Sequence, residues 1–255
     1  THLQVAESPD GIPQKNGNPI PGKFEENDEH DCVSEVLYTY DLADRGWSMY
    51  DNLFIAAHAN VQKLTVITEA PYYASAVVDY EQGLRKDGGR VRLERSVPEQ
   101  GLEFETGRDE HNFFSLGFGG WIVVEFGCPI RNDEGNDVKL IEDTWGTYAL
   151  ETAEVYAGQD GDDWTYLGEA GNTTRDVLGI HSISEFELAD LDWAKYIKVI
   201  DTTDPAPHND AADGYDLNAV ESMQDCIEVQ EETAWGEGGD FPGKNWAMYF
   251  TYTVQ

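Results

Sequence analysis

Short apolar runs that alternate with polar positions dominate the chain, and clusters of Gly, Asp, Asn and Pro separate them. A period of two in β-branched and aromatic residues marks half-buried strands. The pattern predicts strands at HLQVA (2–6), SEVLYTYDL (34–42), LFIAAHANV (53–61), WIVVEF (121–126), VKLIED (138–143), TAEVYAG (152–158), WTYLGE (164–169), SEFELA (184–189), KYIKVID (195–201) and NWAMYFTYTV (245–254). No sustained 3.6-residue stripe is present; AVVDYEQGLRK (76–86) reads as one short helix. QDGDDW (159–164) and RNDEGND (131–137) read as hairpin tips, because Asp-Gly accepts the positive φ of a tight turn. GNPIPGK (17–23) and DFPGKNW (240–246) interrupt pairing. The predicted fold class is all-β, with sandwich or jelly-roll architecture.

Two sets of motifs interleave. THLQVAESPDGIPQKNGNPIPGKF (1–24), YDNLFIAAHANVQK (50–63) and EETAWGEGGDFPGKNWAMYFTYTVQ (231–255) together resemble one module of secreted bacterial and archaeal surface proteins. Between them, YYASAVVDYEQGLRKDGGRVRLERS (72–96), FFSLGFGGWIVVEF (113–126), VKLIEDTW (138–145), AEVYAGQDGDDWTYLGE (153–169) and the stretch 188–221 are similar to discoidin or galactose-binding-like surface domains. The resemblance implies two β-sandwich (jelly-roll-like) domains, one inserted into a hairpin of the other. The host is expected at 1–64 and 228–255 and the guest at 65–227. A hairpin tip tolerates such a guest because few contacts are lost there. The host family has strands before the THLQV segment, so the host is expected to lack an N-terminal strand. Upstream residues supply it, or a neighbouring chain donates it by β-augmentation.

Composition narrows the function classes. The chain has 255 residues, 40% hydrophobic and 12% aromatic, enough for a real core. It carries 50 Asp+Glu against 16 Lys+Arg, a net charge of −34. That charge repels phosphate backbones and anionic bilayers, which excludes nucleic acid and membrane surfaces as partners. No apolar run approaches the roughly 20 residues of a membrane span. The excess invites cations or a salty medium. Three cysteines (Cys32, Cys128, Cys226) allow at most one intrachain disulfide; Cys128 with Cys226 is one of the possible pairings.

The densest acid cluster is DTTDPAPHNDAADGYDLNAVE (201–221), with Asp201, Asp204, Asp210, Asp213, Asp216 and Glu221 and no Lys or Arg. Such carboxylates repel one another unless neutralised, and a hard cation with six to eight oxygen ligands does that directly. Asp213 and Asp216 flank Gly214 at a spacing that wraps one ion. A solvated acidic loop is the bland alternative, and the segment is not an EF-hand. Asp133, Asp137, Glu142 and Asp143 form a second set; Asp137 and Glu142 match polar positions of the resembled family. The expected cofactor is Ca2+, held by Asp213, Asp216, Asp137, Glu142, Asp201 and Asp210.

No HxH or HExxH occurs, so no sequence-local zinc site is expected. His58 lies in an apolar strand and reads as a hydrogen-bonded core histidine. Gly238 to Lys244 begins like a phosphate loop, but Asn245 and an aromatic strand follow instead of Ser/Thr and a helix, so nucleotide binding is rejected. No catalytic motif is nominated, and a non-enzyme is expected. Trp145, Trp164 and Trp193 are candidates for stacking a sugar; Trp145, after an apolar strand, is the better one, since Trp164 and Trp193 read rather as core, as do Trp235 and Trp246. The leading function is a non-catalytic extracellular cell-surface module, structural or adhesive, stabilised by Ca2+. It is read as one link of a larger surface protein or the subunit of a surface fibre assembled by strand donation. Its partners are then neighbouring subunits or upstream domains. The alternative is a carbohydrate-binding module whose partners are surface glycans.

Overall fold

The computed structural model describes all residues except 31, 32, 34, 71, 103, 105–111, 145–148 and 174–178. The chain divides into two compact units, Thr1–Lys63 with Val229–Gln255 and Leu64–Glu228. Both crossings between them fall inside strands, Asn52–Thr68 and Cys226–Trp235.

The second unit is a β-sandwich, in keeping with the all-β pattern of the sequence. One layer orders the strands Thr165–Gly171, Thr152–Gly158, Trp193–Asp201, Trp121–Arg131 and Ala76–Glu81, all antiparallel. The other orders His181–Phe186, Val138–Asp143 and Asp216–Ser222, with Tyr72–Tyr73 and Phe114–Ser115 pairing onto the last of these. The alternating positions Ala153, Val155 and Ala157 and Ile197 and Val199 point inward. They pack with Phe114, Phe126, Leu140, Leu217 and Val220 into a single interior in which most of these side chains are fully buried. Period-two alternation is what buries one side of each strand.

Cys128 and Cys226 form a disulfide, with Cα atoms 5.6 Å apart and a sequence separation of 98. This closes a question that cysteine count alone left open. Cys32 lies outside the described residues.

The first unit pairs His2–Ala6 antiparallel with residues 54–58 of the long strand Asn52–Thr68, which also pairs with Met248–Thr253. Ile12, Phe24, Phe241 and Ala247 cover one face of these strands around Ala56. On the other face Tyr40 and Trp47 pack against Val5, Leu53 and Val254. The strand His2–Ala6 is paired along its length on one side; on the other, among the described residues, it pairs at His2 and Leu3, with Asn27 and Glu26.

Two predicted elements differ from the structure. Residues 76–81 form a strand rather than a helix, and a register shift between Val77 and Asp79 breaks the period of two that would have marked it. Residues 35–41 form no strand. They run irregularly into the one-turn helix Leu42–Arg45, whose N-terminus Asp41 caps by accepting from the amides of Ala43 and Asp44.

Candidate functional site

Two constellations stand out in the sandwich unit. The first is a set of carboxyl groups where several strand ends meet. Glu142 sits near the end of Val138–Asp143, after a register shift between Ile141 and Glu142 against the neighbouring strand. Its side chain is fully buried, and Oε2 accepts from Thr144 Oγ1 at 3.1 Å. Oε1 has no hydrogen-bond donor among the described residues. Glu151, immediately before Thr152–Gly158, is 4% exposed and lies against Glu142. Asp213 reaches Arg95 Nη1 at 3.4 Å, and Arg95 stacks over Phe113. Asp216 accepts from the Ser115 hydroxyl.

Burial dominates the electrostatics here. It pushes the Glu151 carboxyl up to about 9, with Glu142, Asp213 and Asp201 adding repulsion. Burial, and then Asp216, hold Glu142 well above the usual carboxylate range. Asp216 is raised by burial and by Asp213 and Glu151. Asp213 is also raised, because burial outweighs the attraction of Arg95. Glu142 and Glu151 share a hydrogen bond when one of them carries a proton, which lowers Glu142 and raises Glu151. His208 stands beside them: Nε2 donates to the Leu150 carbonyl at 3.1 Å, and Nδ1 lies 3.8 Å from Glu151 Oε1.

The predicted ligand set divides. Glu142, Asp213 and Asp216 come together, joined by Glu151, Arg95 and Ser115, which sequence reasoning did not nominate. Asp201 sits close by, but its oxygens are taken. Oδ2 accepts from the Gly119 amide at 2.9 Å, and Oδ1 accepts from the Tyr215 amide at 2.9 Å and the Thr203 hydroxyl at 2.7 Å. Gly214 makes this clasp possible. Its φ is +77°, and a Cβ there would stand 2.6 Å from Asp201 Oδ1. Asp137 is engaged elsewhere, accepting from the amides of Asp133 at 3.1 Å and Leu188 at 2.8 Å. Asp210 is exposed, and its carbonyl accepts from the Asp87 amide. Among the described residues, no three His, Cys, Asp or Glu side chains form a metal-holding group. Carboxyl oxygens are the donor type a hard cation takes, but their arrangement here is not a preassembled cage.

The second constellation is the outward side of the first layer. Residues directly opposite on neighbouring strands share a face. Val123 pairs with Lys198, Lys198 with Tyr156, and Tyr156 with Tyr166, so these four lie in one row across four strands. Trp121 joins them, two residues along its strand from Val123. Lys198 Nζ lies 5.1 Å from the Trp121 ring and 5.6 Å from the Trp164 ring. The rings of Tyr156 and Tyr166 are 5.3 Å apart, and the Tyr156 hydroxyl donates to Glu154 Oε2 at 2.7 Å. Lys195 pairs with Glu125 at 2.6 Å and stands 5.7 Å from the Tyr196 ring. The outcome is a half-exposed aromatic platform with two ammonium groups, on a chain with only 16 Lys and Arg.

This corrects the reading of the tryptophans. Trp164 and Trp193 are half-buried and lie outside the interior cluster. Strand alternation explains Trp193, since its neighbour Ala194 occupies the inward position. Trp246 is 56% exposed, whereas Trp235 packs on the first unit's core as expected. Trp145 lies outside the described residues.

In the first unit, a groove of about 690 Å³ runs between the strands and residues 35–40, lined by Leu3, Val36, Leu37, Ile55, Ala57 and Phe250 among others.

No family model and no curated protein matches the chain. Among solved structures it is similar to the CBM32 module of AlyQ in complex with 4,5-unsaturated mannuronic acid, at 12% identity over 60% of this chain and 98% of that one, TM-score 0.39. CBM32-3 from a family 31 glycoside hydrolase of Clostridium perfringens matches at 10% identity over 64% and 91%, TM-score 0.31. A pectin-binding carbohydrate-binding module matches at 17% identity over 71% and 98%, TM-score 0.28. These neighbours are carbohydrate-binding modules.

Proposed function

We propose that this chain is a non-catalytic, extracellular carbohydrate-binding module. The observation that carries the reading is the row of Trp121, Lys198, Tyr156 and Tyr166, with Trp164 beside it. Flat aromatic rings on a rigid sheet take the C–H faces of sugars, and the lysines add donors that suit hydroxyl or uronate groups. One feature supports the non-catalytic part: the buried pair Glu142 and Glu151 is 0% and 4% exposed, out of reach of a glycosidic bond. The disulfide supports an oxidising compartment. Affinity electrophoresis and a glycan array test the proposal, using Trp121→Ala, Tyr166→Ala and Trp145→Ala. Loss of retardation in the first two fits the platform. Loss in Trp145→Ala alone moves the site to that loop. A chain that binds no polysaccharide removes the reading.

Ca2+ belongs to the same proposal as a stabiliser, with Glu142, Glu151, Asp213 and Asp216 as its holders. The ion would replace the proton that these groups otherwise retain. Binding at 100 times the dissociation constant adds about 2.7 kcal/mol. Melting with Ca2+ and with chelator, in unmodified chain and in Asp213→Asn/Asp216→Asn, decides it; identical shifts in both chains place the ion elsewhere.

The groove of the first unit favours a second reading, a fibre subunit that docks a strand from its neighbour beside Leu3 and Ile55. Light scattering across concentrations tests it. Assembly abolished by Ile55→Glu supports it, and a monomer at all concentrations rejects it.

A further inference from the structure

The strand register places two histidines opposite each other in the first unit: His2 pairs directly with His58. They are 56 positions apart in sequence, so no local motif announces them. The expected core hydrogen bond of His58 is not found among the described residues. Its Nδ1 and that of His2 are both shielded from water and lack a partner there. A buried imidazole nitrogen without a partner is a costly arrangement that native folds seldom keep without use. The ring centroids are 5.3 Å apart and inclined at 35°. Trp235 packs on His58 with centroids 4.8 Å apart, and so fixes that ring from another side.

Two imidazoles on one tetrahedral ion, at about 2.05 Å each, put their centroids about 5.2 Å apart. The observed spacing meets that figure without movement of either strand.

We propose that His2 and His58 form a cross-strand binding site for one imidazole-seeking divalent transition ion of the Zn2+, Ni2+ or Cu2+ class, with water completing the coordination. Imidazole selects these ions, whereas Ca2+ and Mg2+ take oxygen ligands, so the site is chemically separate from the carboxyl cluster. It uses two protein ligands rather than three, and it bridges the strand His2–Ala6 to its neighbour. Occupancy would therefore clip that short strand in place.

The test is Cu2+ and Ni2+ binding to the full chain, with excess Ca2+ present to occupy carboxylates. His2→Gln and His58→Gln are each expected to weaken the tight site at least as much as loss of an outer-shell partner does, roughly 10- to 100-fold. The metal-free melting point of each variant reports whether it folds. A second measurement needs no variant: electron paramagnetic resonance of one Cu2+ equivalent on the unmodified chain is expected to show two imidazole nitrogens. Three outcomes overturn the proposal. Binding that neither variant changes belongs to carboxylates. Binding lost only in His2→Gln and kept in His58→Gln does not need the second imidazole. A Cu2+ spectrum with fewer than two imidazole nitrogens rejects the pair directly.

Discussion

Replacing Glu151 with Gln isolates the proton held in the carboxyl cluster. The ordinary glutamate value is 4.5, and burial together with Glu142 raises Glu151 to about 9. The folded chain therefore keeps a proton that the unfolded chain releases across that interval. A raised acid contributes stability that is fully present below the unfolded value and is lost as pH rises through the folded one. One such proton gives a slope of about 1.4 kcal/mol per pH unit, so about 3 kcal/mol disappears between pH 6 and 8. Glu151 is 4% exposed, which leaves little solvent screening to reduce this. Gln cannot ionise, so the variant should lose stability less steeply over that range by about one proton's worth. Glu142 and Asp216 are raised too, which leaves a residual slope in the variant. Urea unfolding at pH 6, 7 and 8, with hydrogen exchange of residues 138–143 assigning the transition, measures it. Parallel slopes in the two proteins would show that Glu151 is already ionised in the fold, and the electrostatic account of the cluster would fail. The proposed Ca2+ would reverse the sign: competing with the proton, it should stabilise most at pH 8.

Reducing the Cys128–Cys226 bond releases a loop of about 100 residues, which costs up to about 5 kcal/mol in chain entropy. Calorimetry with and without reductant, compared with Cys128→Ser/Cys226→Ser, should show the same drop. Gly214→Ala forces a side chain into the left-handed region and against Asp201, and should destabilise by about 1–3 kcal/mol, read from urea midpoints. Screening separates two origins of the acid excess. If simple charge repulsion dominates, NaCl should raise the melting point as far as Ca2+ does; a specific ion requires Ca2+ to act well below the salt concentration that matches it.

Much of the fold was legible because alternation is local. The strands at 121–126, 138–143, 152–158 and 195–201 were readable from inward positions such as Val155 and Val199 alone. The segment 76–81 was not, because its register shift disrupts the period at Val77 and Asp79. Residues 35–41 alternate like a strand but find no strand partner; Tyr38 instead bonds Thr1 Oγ1 at 2.6 Å, and Tyr40 fills space beside Val5 and Leu53. For the site, the density of acids pointed to Glu142, Asp213 and Asp216. It did not point to Glu151 or Arg95, which reach the cluster from separate turns. Nor did it separate Asp137 and Asp201, whose oxygens are spent on backbone amides. The platform and the His2–His58 pair depend on which residues face each other across strands, and only pairing register decides that.

The bond between Cys128 and Cys226 joins a strand in the middle of the chain to the segment leaving the sandwich. The hairpin tips at 131–137 and 159–164 and the acidic loop after Asp201 all lie between those two cysteines. A protease that nicks any of these turns severs the backbone yet frees no fragment. The cut chain still migrates as one molecule until a reductant is added, so the fold would outlast single cuts that divide an uncrosslinked sandwich.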